Sequence, residues 1–163
     1  MTNDPKQPLN PEEEAAWRAL ARAVLVLPRI LEAELLETHG LNLAEYTVLM
    51  HLSESPERSL RMTELANRVA LSVSGLTRVV ERLSRQGLVE RLKCPTDARG
   101  HLAHLTDKGF DRLVDAYPRH LEGVRRHVMD HLTGIDLPAF AAAVGTIAAA
   151  DIPPSRRTLP PSA

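Results

Sequence analysis

Little in this chain could act as a covalent or metallic staple. Its 163 residues include a single cysteine, Cys94, which excludes an internal disulfide framework and a cysteine-rich zinc site. The aromatic residues are two Tyr, two Phe and one Trp, too few to build a platform on which single-stranded bases stack. Apolar runs such as Ala23 to Pro28 fall far below the roughly 20 residues that span a bilayer. The opening Met1-Thr2-Asn3-Asp4-Pro5 has no apolar signal region behind it, so a soluble cytoplasmic protein with no membrane partner is expected. No nucleophile motif, glycine-rich phosphate loop or dense carboxylate and histidine cluster is present. The expectation is a protein that is not an enzyme and carries no cofactor.

What the chain does have is an uneven distribution of charge. The formal net charge is −1. Residues 1–57 hold 4 Lys/Arg against 10 Asp/Glu, residues 58–101 hold 9 against 4, and residues 102–163 hold 7 against 7, giving balances of −6, +5 and 0. A basic centre in an acidic or neutral chain suggests that one region faces a polyanion.

Hydrophobic spacing divides the chain further. Three prolines among the first eleven residues and four among the last eleven predict disordered ends at 1–11 and 151–163. Between Glu12 and Thr38, the residues Trp17, Leu20, Val24, Leu27, Leu31 and Leu35 recur at steps of three and four, which predicts a helix that Pro28 should kink. A second helix is expected after Asn42, through Tyr46, Leu49, Met50 and Leu52, stopping near 54–57. Leu65, Ala66 and Val69 mark a short helix, and Leu71-Ser72 is a tight junction into another with the stripe Leu76, Val79, Val80 and Leu83. Gly87 stands where a left-handed cap would end that helix. Two alternating segments, 88–92 and 101–105, then predict a lone hairpin with Arg99 at its tip. Thr106 can cap a long helix carrying Phe110, Leu113, Val114, Leu121, Val124 and Val128, with Pro118 a second expected kink, and Asp136 starts an Ala-rich helix ending near Ala150.

Helix, short turn, helix and hairpin is the order of a winged helix-turn-helix. A major groove about 12 Å wide admits a helix but little bulk at its leading end. Ser72, Ser74, Gly75, Thr77, Arg78, Arg82 and Arg85 fall largely outside the buried stripe and supply a small front with a basic flank. Arg78 is the candidate reader of a base edge, Arg82 and Arg85 are candidates for phosphate contact, and Arg61 joins the DNA-facing set.

Over roughly residues 12–150 the sequence resembles the MarR family of transcriptional regulators. The resemblance rests on LANRVALSVSGLTRVVERLSRQGLVERL followed by DARGHLAHLTDKG, which is similar to that family's D-x-R-G wing leading into an L-T-x-x-G helix start. It implies a mainly α fold with a small β-hairpin wing, a winged helix-turn-helix core at 58–106, and dimerisation helices at 12–57 and 107–150. It also implies a homodimer on a pseudo-palindromic duplex, usually acting as a repressor released by a small aromatic ligand. On that resemblance Arg99 reaches the minor groove, Asp97 orients the wing and Gly100 permits its turn.

Other features weigh less. His127 and His131 have metal-ligand spacing, but without further ligands a surface or dimer-face role is favoured. Cys94 beside Lys93 leaves a redox role as an alternative. Trp17, Arg18 and Tyr46 are the candidates for an effector pocket, though core or dimer packing suits the aromatics better. Arg156 and Arg157 in the tail could brush DNA, though no role is the favoured expectation. The rival function is a winged-helix module that binds protein, which needs no basic recognition flank.

Overall fold

The computed structural model describes residues 7–94 and 97–149, with the side chains at 94 and 97–99 excepted. Pro95, Arg156, Arg157 and the ends expected to be disordered, apart from residues 7–11, lie outside the described residues. Six α-helices and three strands follow one another as α1 (Pro11–His39), α2 (Leu43–Ser53), β1 (Ser59–Arg61), α3 (Met62–Arg68), α4 (Val73–Arg85), β2 (Val89–Cys94), β3 (Asp97–Leu105), α5 (Asp107–His127) and α6 (Leu137–Ala148). Short 3-10 turns sit at Pro56–Arg58 and Met129–His131.

The helix boundaries have local causes. Asn10 and Asn42 each close a capping box, with Glu13 and Glu45, and satisfy amides that the first helical turn leaves without partners. Ser72, Thr106 and Asp136 cap α4, α5 and α6 through their side chains. Helix α4 ends at Gly87, whose φ of 71° is left-handed. The amides of Gly87 and Leu88 there return to the carbonyls of Ser84 and Leu83, a Schellman ending. Both expected kink sites, Pro28 and Pro118, lie inside helices that continue unbroken past them.

The hairpin is not alone. A short strand, β1, pairs antiparallel with β3 to give a three-stranded sheet of order β1-β3-β2, with Leu60 opposite Ala103. Three residues are too few for an alternating pattern to mark this strand in the sequence. The wing differs from expectation in a second respect. Lys93 pairs with His101 and Cys94 with Asp97, so residues 98–100 form a bulge on β3. Arg99 and Gly100 therefore lie within a bulged strand. Glycine in a strand commonly marks such a bulge.

The core lies where α2, α3, α4, the sheet and the first half of α5 meet. Leu49, Leu52, Leu65, Leu76, Val80, Leu83, Ala103 and Leu105 are all at most 1% exposed there. Helix α1 contributes Leu31 and Leu35 from its C-terminal half only. Helix α6 contributes no buried residue. Gly109 lets α5 start hard against β2, since a Cβ there would stand 2.0 Å from the Leu88 carbonyl oxygen.

Candidate nucleic-acid interface

Helix α4 is built to expose one face. Its buried stripe is Leu76, Val80 and Leu83, with Val79 packed at the edge. The Ser72 hydroxyl accepts from the Gly75 amide at 3.1 Å and lies 3.2 Å from the Ser74 hydroxyl. The Thr77 hydroxyl donates back to the Val73 carbonyl at 2.8 Å. Two of the three hydroxyls expected at DNA are thus tied to the helix's own backbone in this structure. Ser74, Arg78 and Arg85 are exposed, and Arg85 Nε donates to the Glu81 carbonyl at 3.4 Å.

The far end of α4 is fastened to α5. Thr106 Oγ1 donates to the Gly87 carbonyl at 2.8 Å while accepting from the Gly109 amide, and Lys108 Nζ donates to the Gln86 carbonyl at 2.8 Å. These bonds fix the recognition helix relative to the long helix behind it.

Charge is allotted more selectively than a count of residues 58–101 suggests. Arg58 lies 4.2 Å over the Phe110 ring and pairs with Asp107 at 2.9 Å. Arg68 pairs with Glu64 at 2.7 Å. Arg82 Nε lies 2.5 Å from a carboxylate oxygen of the buried Glu45. The phosphate-contact candidate Arg82 is therefore half of an interhelical ion pair. Arg78, Arg91 and Lys93 pair with no acidic side chain among the described residues, and Arg85 engages only a carbonyl.

Recognition helix and wing share a cleft of about 310 Å³ lined by Arg61, Met62, Thr63, Val73, Thr77, Arg91, Gly100 and His101. The structure thus brings Arg61, Thr77 and Gly100 together, and adds Arg91, which is not among the residues expected from the sequence. Its signal was present: Arg91 is two residues from the buried Val89, so it shares the sheet face that meets α4 while remaining exposed at the edge of the core. Asp97 and Arg99 are in β3, with their side chains outside the described set.

The effector candidates are not brought together. Trp17 is 59% exposed and Arg18 pairs with Glu14 one turn earlier on α1. Tyr46 is buried in the core cluster that also holds Leu35. Trp17 stands roughly 27 Å up the helix from Leu35 at about 1.5 Å per residue. Tyr46 instead stacks on His120, with centroids 4.3 Å apart, and borders a cleft of about 230 Å³ with Met50, Ser53, Glu54, Leu113, Val114 and Tyr117. Burial pushes the Tyr46 hydroxyl up to about 12 and holds the His120 imidazole below its ordinary range.

His127 serves α1–α5 packing. Its Nε2 donates to Glu34 at 2.9 Å, and this bond, with Arg126 and Arg119 beside it, holds the Glu34 carboxyl below the ordinary range against the effect of burial. No group of three metal-capable side chains occurs among the described residues, and no helix among them is long and apolar enough to cross a membrane.

A family model described as MarR family matches residues 39–100, the stretch from the end of α1 to the wing. Sco3205 from Streptomyces coelicolor, a MarR family transcriptional regulator crystallised in complex with DNA, is 37% identical with a TM-score of 0.83, over 90% of this chain and 91% of that one. AbsC, a MarR family transcriptional regulator from the same organism, is 34% identical with a TM-score of 0.79, over 88% and 96%. The HTH-type transcriptional regulator YkoM of Bacillus subtilis is 35% identical over 89 residues, which is 54% of this chain and 56% of that protein. The chain thus spans just over half the length of the curated relatives it matches. Fold, wing and near full-length similarity to two solved regulators agree, and the chain belongs to the MarR family of winged helix-turn-helix transcriptional regulators.

Proposed function

We propose that this protein is a homodimeric repressor that binds a pseudo-palindromic duplex through α4 and the wing. The observation that carries the reading is the shared cleft. A serine-capped helix that exposes Arg78 and Arg85 brings Val73 and Thr77 to a cleft whose other walls include Arg61 and, from the wing, Arg91, Gly100 and His101. Arg78 reads a base edge, Arg85 and Arg91 hold phosphates, and Arg99 on the bulged strand enters the minor groove, where negative potential is concentrated. The similarity to Sco3205 in complex with DNA supports the same docking. A protein-binding winged helix would need no exposed arginines on both the recognition helix and the wing strand, where Arg78, Arg85 and Arg91 stand.

A small aromatic effector is assigned to the cleft beside Tyr46 and Tyr117, whose lining is mostly apolar and whose walls join α2 to α5. Occupancy there would shift α5, to which the end of α4 is tied through Lys108 and Thr106.

One experiment tests both parts. Duplexes selected from a randomised pool by the full chain should share an inverted repeat with half-site centres about 10 bp apart. Arg78→Ala should lose about 1–3 kcal/mol and relax one position of that repeat. Aromatic acids should release the complex, less effectively with Tyr117→Ala. Selection of asymmetric sites, or uniform weakening by Arg78→Ala, would overturn the assignment.

A further inference from the structure

Glu45 is 2% exposed, the one charged side chain so deeply buried among the described residues. One carboxylate oxygen accepts from the Asn42 amide at 3.0 Å and completes the capping box of α2. Capping alone does not account for its position. The same box at the start of α1 uses Glu13, which is exposed and pairs with no cation among the described residues. The second oxygen of Glu45 lies 2.5 Å from Nε of Arg82, on the recognition helix. Arg82 keeps 46% of its side chain in solvent, and no other ion pair or hydrogen bond engages its guanidinium among the described residues. Arg82, Arg78 and Arg85 border one cleft on the flank of α4. The start of α2 is also tied to α1, where the amide of Leu43 donates to Glu32 at 3.3 Å.

Resting on the DNA-binding reading above, we propose that Glu45 is a positioning residue for DNA recognition: it anchors Arg82 in a close ion pair, so that a guanidinium still half in solvent is held at the surface that meets a backbone phosphate. An arginine already held by an ion pair loses less rotamer freedom when it meets its phosphate.

The proposal has a sign that ordinary electrostatics lacks. Glu45 is a negative charge close to a surface that meets a polyanion, so Coulomb's law alone predicts that removing it tightens binding. Positioning predicts the reverse. Glu45→Gln is the variant of choice, because glutamine also serves at this position of a capping box and α2 keeps its start.

The experiment measures binding of the selected duplex and of an unselected duplex of equal length, across salt, for wild type, Glu45→Gln and Glu45→Gln/Arg82→Gln, with circular dichroism confirming the fold. The double variant leaves no orphaned charge, so it keeps the test open if the single one folds poorly. The expected result is that Glu45→Gln binds the selected duplex about tenfold more weakly while folded. The slope of log K against log salt should fall in magnitude by about 0.9 for each phosphate no longer neutralised. The double variant should match the single one in slope. Glu45→Gln binding as tightly as wild type or tighter, or a further drop in slope on adding Arg82→Gln, overturns the positioning role and leaves the DNA reading standing. A wild type that binds neither duplex overturns the DNA reading and this role with it.

Discussion

Helices α4 and α6 both carry apolar stripes at helical spacing, and they differ in what meets them. In α4 the stripe is Leu76, Val80 and Leu83, and none is more than 1% exposed. In α6 it is Leu137, Phe140, Val144 and Ile147, of which Leu137, Phe140 and Ile147 are 42%, 40% and 59% exposed. The same contrast divides α1, where Leu31 and Leu35 are buried while Trp17, Val24 and Leu25 remain open. Periodicity therefore reports that a helix has an apolar face and says nothing of which surface covers it. The winged core covers its own stripes. The stripes at the two ends of the chain need something else, and a second copy of the chain is the proposed cover, because contiguous apolar surface on this scale is rarely left to water.

The core side of this contrast breaks most sharply at Gly109. A methyl group there would stand 2.0 Å from the Leu88 carbonyl oxygen and 2.7 Å from a Leu105 methyl, so α5 must lift off β2 and off the end of α4. Gly109→Ala should cost about 3 kcal/mol or more, at or beyond the upper range for overpacking, because a backbone atom is in the way. Thermal unfolding should show a fall of at least about 6 °C. A midpoint within a degree of wild type would mean that the junction is looser than the structure shows.

The open side is tested at Phe140. Glutamate on a solvent-exposed position of a single chain costs little, whereas glutamate in an apolar interface must be desolvated without a partner. Phe140→Glu should leave the circular dichroism of the core unchanged and weaken dimerisation by roughly 2 kcal/mol per protomer, about 4 kcal/mol or roughly 1,000-fold per dimer, with a loss of DNA affinity alongside. Sedimentation at a series of concentrations reads this directly. A variant that remains as dimeric as wild type would remove α6 from the interface.

The parts of the fold legible in the sequence were those decided within a few residues: the helix starts after Asn42 and at Asp136, the junction at Leu71-Ser72, the cap at Thr106, the left-handed Gly87, and the stripe of α4. Pairings across long stretches of chain were not legible. Strand β1 exists because β3 is there to pair with it, and Arg82 meets Glu45 only because α2 and α4 pack together. Arg58 and Arg82 counted toward a basic segment, yet Asp107 and Glu45, both outside that segment, pair with them. The wing's alternation was clear, but the bulge at 98–100 depends on register between two strands, which composition does not encode. The effector candidates failed to meet for a related reason: Trp17 and Tyr46 are both aromatic, but a continuous α1 separates them.

The smallest expected effect sharpens the comparison furthest. Gly145 lies one residue beyond Val144, about 100° round the helix and off the apolar stripe of α6, and an added Cβ would meet nothing within 4 Å. Alanine in place of a mid-helix glycine stabilises the helix by roughly 0.5–1 kcal/mol. Whether that gain reaches the whole molecule depends on whether α6 unfolds together with the core. If a second copy covers α6, its unfolding is cooperative with the rest, and Gly145→Ala should raise the midpoint by about 1–4 °C. In the Phe140→Glu background α6 frays on its own, and the same substitution should add helicity while leaving the core midpoint unchanged. Equal shifts in both backgrounds would show that α6 is coupled to its own chain rather than to a second copy. A lowered midpoint would show that a neighbour approaches the face that Gly145 leaves open.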